Sequence, residues 1–252
     1  MNGIKYAFVT GVGRSGTTFL SHLLSHCKDA NVHHEFERTR EFQLLSWYLG
    51  TSYCRPYLEK LKAEIEADNL KNDRFIDVNG GYRHCTDALE EVFNTKEIFH
   101  MVRHPKAVVR SLYTRRDERN VHFVPKTESE IEWWIKSDKF SRICWNWKTD
   151  TELLLEKGLD VLHFEKIISD YDYFKIHLLD KVGLYMDESS WQNAVGVKKN
   201  KTKSKVYRFL YAKYKGKAFV EDRLPEFEDW PYDYKKTFTD ICGETMTKLG
   251  YE

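Results

Sequence analysis

An apolar run, a glycine loop and an amphipathic run follow one another within the first 24 residues, and few folds accommodate that succession. Ile4-Lys5-Tyr6-Ala7-Phe8-Val9 predicts a short buried strand, and Phe19, Leu20, Leu23 and Leu24 recur at helical spacing. Between them lies Thr10-Gly11-Val12-Gly13-Arg14-Ser15-Gly16-Thr17-Thr18. Glycines let a backbone turn with its N–H groups facing inward, and the N-terminus of the following helix adds partial positive charge. A tight turn alone needs neither the hydroxyls of Ser15, Thr17 and Thr18 nor the cation of Arg14, so the loop is expected to hold a phosphate.

The spacing narrows the donor. Gly11 and Gly16 stand where a Walker A loop, G-x-x-x-x-G-K-[ST], has its glycines, and Thr18 stands at its hydroxyl position. Thr17 replaces the lysine that would hold the β and γ phosphates, which disfavours ordinary ATP or GTP chemistry. Arg14 moves the cation to another part of the loop, as another anionic donor would require.

Composition limits the remaining classes. With 252 residues and no Pro/Gly/Ser linker or low-complexity tract, one domain over residues 1–252 is expected. Lys plus Arg total 40 against 39 Asp plus Glu, so a net charge of +1 gives no global electrostatic case for nucleic acid or an anionic membrane. Cys27, Cys54, Cys85, Cys144 and Cys242 are odd in number and lack C-x-x-C spacing, against both a disulfide framework and a zinc site. A strand beginning by Ile4 leaves no room for a signal peptide, and no window approaches the roughly 20 apolar residues of a spanning helix. A soluble, cytoplasmic protein without a metal is the expectation; its oligomeric state is open.

Further along, residues 31–40 read as a polar connection containing His33, His34, Glu35 and Glu37. Residues 56–69 favour helix, 74–78 read as a strand ended by Asn79-Gly80-Gly81, and a helix follows over about 84–94. Glu97 to Val102 is a further strand, and Pro105 can open the helix after it. Ile131 to Leu155 predicts one or two helices whose Trp133, Trp134, Trp145 and Trp147 read as core. Leu159 to Phe164 is a late strand, residues 170–184 a helix, and Tyr234 to Leu249 a terminal helix. Short strands alternating with helices imply a three-layer α/β domain with a central, mostly parallel sheet flanked by helices, of the P-loop NTPase-like kind. Ligands of such sheets bind beyond the carboxyl ends of the strands, where both the 11–18 loop and the 103–111 segment fall.

At these two stretches the chain resembles the sulfotransferases that use 3′-phosphoadenosine 5′-phosphosulfate (PAPS), most closely the tyrosylprotein and carbohydrate branches. Arg14-Ser15-Gly16-Thr17-Thr18 is similar to their 5′-phosphosulfate loop; Arg103-His104-Pro105 with Ser111 is similar to their 3′-phosphate motif. The resemblance implies PAPS as co-substrate, PAP as product, donor binding by Arg14, Ser15, Gly16, Thr17, Thr18, Arg103 and Ser111, and O-sulfation of a small-molecule, glycan or peptide hydroxyl. A planar guanidinium with a serine two helical turns on also suits phosphate on physical grounds. Leu159 to Glu165 is similar to a late strand ending in an aromatic-Glu pair. The lysine that several members carry near the second strand's end has no counterpart in Asp77-Val78-Asn79-Gly80, so leaving-group stabilisation falls to Arg14 or to another group.

Sulfuryl transfer needs a base for the acceptor proton. Glu35, at a spacing from Arg14 that is similar to that of the family's catalytic glutamate, is the first candidate, with His34 and His33 as competitors. Residues 197–217 hold nine Lys or Arg and no acid. They read as a solvated loop, a lid over the donor or a landing surface for an acidic acceptor, and Ser204 to Arg208 faintly resembles a late tyrosylprotein-sulfotransferase segment. Two other functions compete: a P-loop small-molecule kinase, for which Asp77 is the one candidate Mg²⁺ ligand, and a nucleotide-binding sensor without catalysis.

Overall fold

Residues 3–36, 41–68, 70–115, 123–196, 205–214 and 223–252 are described by a computed structural model. Its strands are β1 (Lys5–Thr10), β2 (Asn31–His34), β3 (Arg74–Val78), β4 (Ile98–Val102) and β5 (Asp160–His163). The helices are α1 (Thr17–Leu24), α2 (Glu41–Leu49), α3 (Arg55–Ala67), α4 (Thr86–Phe93), α5 (Pro105–Arg115), α6 (Glu128–Lys136), α7 (Lys139–Glu156), α8 (Phe164–Ser169), α9 (Tyr171–Phe174), α10 (Glu188–Gly196), α11 (Lys205–Tyr214) and α12 (Tyr232–Lys248). Two compact units divide the chain: residues 1–103 with 150–197, and residues 104–149 with 198–252.

The first unit contains the sheet, ordered β2-β3-β1-β4-β5 with every pair parallel. Parallel strands buried on both faces carry apolar side chains on both, and β1 does. Ala7 and Val9 join Ile76, Val78, Phe99 and Met101 on one face, beneath α1 and α8 to α10. Tyr6 and Phe8 join Phe75 and Ile98 on the other, beneath α2, α3 and α4. Phe8 is edge-on to both Tyr82 and Phe93. These are the three layers that the strand–helix alternation implies.

The polar connection expected over residues 31–40 in fact begins as a strand. β2 lies at the edge of the sheet and pairs with β3 through Asn31↔Phe75 to His34↔Val78. All four of its residues are half-buried, so it lacks the apolar alternation by which a strand is read. Residues 37–40, with Glu37, lie outside the described residues. The 170–184 helix also differs, resolving into α9 and a π-helical turn over Lys175–Leu179.

The second unit is helical and aromatic. Phe140 stacks on Tyr234 at 4.2 Å between ring centres and meets Trp230 edge-on at 5.3 Å; Trp230 in turn meets Phe238. Trp145 and Trp147 are core residues as expected, whereas Trp133 is 39% exposed on α6, a helix without a buried residue. Of the basic run, residues 197–204 and 215–217 lie outside the described residues; α11 carries its middle. Among the described residues, no helix is long and apolar enough to cross a membrane.

A buried charge cluster lies in the first unit. Asp150 on α7 pairs with Arg83 Nε at 2.6 Å and His84 Nε2 at 2.7 Å, and Arg83 Nη1 donates to the Gly80 carbonyl at 2.6 Å. Burial pushes the Asp150 carboxyl up, but the Arg83 guanidinium and the His84 contact outweigh it and hold the group below the usual carboxylate range. Its stabilisation is therefore present above about pH 4 and lost as pH falls below that through the folded-state value. Asp150→Ala leaves a guanidinium buried without its counter-charge and is expected to cost about 3–5 kcal/mol at pH 7, measured by denaturant unfolding.

Candidate active site

Because all five strands are parallel, the segments after β1, β2, β3, β4 and β5 leave the same edge of the sheet. The chain moves from β1 to β2 on one side and from β4 to β5 on the other, so the strand order reverses between β1 and β4. The 11–18 loop and Arg103 occupy that point. Gly11 lies so close to β4 that a Cβ there would strike the Met101 carbonyl. Gly16 has φ +101°, and a Cβ on it would run into the Phe164 ring and come within 3.2 Å of Met101 Cε.

Arg14, at φ +80°, is left-handed without being glycine, while Ser15 between Arg14 and Gly16 is not. Alternation of hand along successive residues turns neighbouring N–H groups toward one concavity suited to an anion. Thr17 and Thr18 open α1 directly after Gly16, and the first-turn N–H groups of a helix have no intrahelical acceptor. The first unit thus joins the N-terminus of α1 and the half-buried Arg14 at one place, while the Ser15 N–H turns back to donate to the Val12 carbonyl at 3.1 Å.

Arg103 closes on the same loop. Its Nη1 donates to the Arg14 carbonyl at 3.4 Å, and its guanidinium lies 4.8 Å from the centre of the Phe164 ring. Thr18 Oγ1 is 3.2 Å from His34 Nε2, linking the loop to the end of β2. Ser15 is buried, Thr17 half-buried and Thr18 exposed. Ser111 is half-buried on α5, in the second unit.

Glu35 follows β2, exposed, with φ +54° and its N–H donating to the Val78 carbonyl at 3.3 Å. Among the described residues three non-glycines have positive φ; Asn94 caps a helix, and the other two are Arg14 and Glu35. Such backbone costs of order 1–3 kcal/mol and gathers at functional sites. His33 is placed differently from His34: its ring stacks on Phe75 at 4.9 Å, and burial pushes its pKa down, which suits a packing role.

Two features of the site are not legible from sequence pattern. Phe164 fills the space that Gly16 leaves and carries the Arg103 guanidinium. Asp77, wholly buried, accepts from Phe36 N–H at 3.2 Å on one oxygen, and from Tyr82 O–H at 2.9 Å and Asn79 Nδ2 at 3.4 Å on the other. Burial pushes its carboxyl up to about 6 against these hydrogen bonds, and the nearby Glu35 charge adds to the rise. Among the described residues, no three His, Cys, Asp or Glu side chains are grouped as a metal site would need.

No protein-family model and no curated protein matches this chain. Solved structures do. The sulfotransferase domain of the Synechococcus PCC 7002 olefin synthase aligns over 100% of this chain and 97% of its own, at 15% identity and a TM-score of 0.52. The sulfotransferase domain from the curacin biosynthetic pathway aligns over 100% and 99%, at 15% identity and 0.50. A mouse sulfotransferase complexed with PAP, SULT7A1, aligns over 96% and 84% at 13% identity with a TM-score of 0.47. The chain has the sulfotransferase fold.

The two glycines at positions 13 and 16 differ sharply in what surrounds them. Gly13 has nothing within 4 Å of an added Cβ, so Gly13→Ala is expected to change stability by less than about 0.5 kcal/mol. Gly16→Ala meets both the left-handed backbone and the Phe164 ring and is expected to cost about 1–3 kcal/mol. Thermal unfolding of the two variants side by side measures the contrast.

Proposed function

We propose that this protein is a sulfotransferase that moves the sulfuryl group of PAPS onto a hydroxyl acceptor, with Glu35 as general base and residues 1–252 acting as one catalytic domain. The observation that carries the reading is a Walker-like loop without its lysine, bearing Arg14 in left-handed backbone and joined to Arg103, within the sulfotransferase fold.

In this reading the Gly11–Thr18 loop holds the 5′-phosphosulfate, and Arg103 and Ser111 hold the 3′-phosphate. The acceptor oxygen forms a bond to sulfur while the bond from sulfur to the bridging phosphate oxygen breaks. The electron pair of the broken bond leaves on PAP, and the acceptor proton passes to the Glu35 carboxylate. Arg14 meets the charge that grows on the bridging oxygen, where a preoriented cation stabilises the transition state more than the ground state. The acceptor is a small-molecule, glycan or peptide hydroxyl.

The kinase alternative loses its Mg²⁺ ligand, because both Asp77 oxygens are buried and hydrogen-bonded within the protein. A sensor would bind the nucleotide without turnover, so product formation separates it from the enzyme.

PAP without Mg²⁺ is expected to raise thermal stability, by about 2.7 kcal/mol at 100 times its Kd. Arg103→Ala and Ser111→Ala should each weaken that stabilisation, and neither should matter when the ligand lacks its 3′-phosphate. Equal losses with both ligands would place the two residues elsewhere.

Glu35→Gln keeps shape but removes the proton acceptor. It should lower kcat by about 10²- to 10⁴-fold while PAP affinity stays within a few-fold. Phenols of low pKa should suffer least and aliphatic alcohols most. Normal turnover by Glu35→Gln together with a dead His34→Ala would move the base to the histidine.

A further inference from the structure

We infer that Asp77 is a positioning residue for the proposed general base: its buried carboxylate fixes the Glu35–Phe36 turn by accepting the Phe36 N–H. This rests on the reading of Glu35 given above.

Two hydrogen bonds to β3 hold the turn. β2 is an edge strand bonded on one side, and its last ladder contact is the Glu35 N–H to the Val78 carbonyl. One residue further on, the backbone leaves the ladder and its N–H is taken up by a side chain of β3 instead of a carbonyl. Two adjacent hydrogen bonds from β3 therefore hold both sides of the Glu35 Cα in a backbone conformation that glutamate disfavours unless it is constrained. Phe36 adds packing, with its ring 4.9 Å from His33 and 5.4 Å from Phe75. His33 is itself the register partner of Asp77.

The carboxylate is held on its far side too. Tyr82 O–H and the Asn79 amide both donate to Oδ2, so the group cannot swing away from Phe36. Asn79 is in turn tied by its own N–H to the Val9 carbonyl of β1 at 2.8 Å, one strand residue before the donor loop. One buried anion thus fixes the proposed base relative to the strand that carries the loop.

A merely structural slot has less reason to hold an acid. Because burial raises this carboxyl to about 6, the stabilisation it offers is present below about pH 4 and lost as pH rises through 6. Near neutral pH the ionised group opposes folding, while its acceptor oxygens order the turn.

The test is a double-mutant cycle on breakdown of PAPS to PAP, with water as acceptor and with an aliphatic alcohol, ethanol, comparing wild type, Glu35→Gln, Asp77→Ala and the double variant. Asp77→Ala should slow turnover about 10- to 100-fold in the wild-type background and by less than about 2-fold in Glu35→Gln, because it acts only through Glu35. Asp77→Asn keeps an oxygen for the Phe36 N–H and should restore turnover to within about 5-fold of wild type. PAP affinity should stay within about 3-fold throughout. Should Asp77→Ala fail to fold, Tyr82→Phe, which removes the shorter of the two hydrogen bonds to the far oxygen, is expected to give a smaller loss that also vanishes in Glu35→Gln.

Equal losses in the two backgrounds, with Glu35→Gln itself slow, would overturn the positioning role and leave the base in place. A Glu35→Gln variant of normal turnover would instead remove the base, and this inference with it. An Asn variant as slow as Ala would show that the charge, not the hydrogen bond, matters, and would overturn the inference as stated.

Discussion

No side chain fits at Gly11 between the carboxyl ends of β1 and β4, and the rest of the site follows from that exclusion. Gly11 stands against the Met101 carbonyl on one side, and on the other an added Cβ at Gly80 would lie 3.0 Å from the Gly11 carbonyl. Main chain is in contact with main chain across three strands, so the loop leaving β1 has no slack at its root. It leaves β1 at the point where the strand order reverses. A larger residue at Gly11 would have to displace β4, and with it Arg103.

Charge is distributed on the same plan. Arg14 and Arg103 are half-buried at the mouth, while the Arg83–Asp150–His84 cluster is deep and mutually compensated. His100, the β4 register partner of Thr10, is so thoroughly desolvated that burial pushes its pKa down to about 3 and keeps it neutral. His100 thus adds no charge to the interior beside the loop. On the function proposed above, attraction for an anionic donor comes from the loop, the helix dipole and the two half-buried arginines.

Much of this was legible in the sequence wherever the signal was local. Buried strands are nearly continuous apolar runs, so β1, β3 and β4 could be placed within a residue or so; β5, of which only Leu162 is buried, was placed through the apolar residues at 159, 161, 162 and 164, and the glycine spacing located the loop. β2 could not be read, because Asn-Val-His-His shows neither apolar continuity nor alternation. Asp77 looked like a candidate metal ligand at a strand end; only its three-dimensional neighbours, Phe36, Tyr82 and Asn79, show a carboxylate already saturated. Phe164 was visible as an aromatic at a strand end, but its packing on Gly16 joins residues 148 positions apart, which no periodicity encodes. Trp133 read as core because composition says which residues are large and apolar, not which helix stays at the surface.

The place of β2 at the margin of the sheet has an evolutionary consequence. The 11–18 loop and Arg103 belong to β1 and β4, strands flanked on both sides, where a change in length would shift the whole sheet. Glu35 hangs from a strand with a single neighbour, and the segment after it enters α2 with exposed Leu44, Tyr48 and Leu49. Insertions and replacements there leave the sheet's ladder intact. On the function proposed above, variation at the acceptor end is therefore separable from retention of the donor end, and one such frame can diversify among many hydroxyl-bearing substrates.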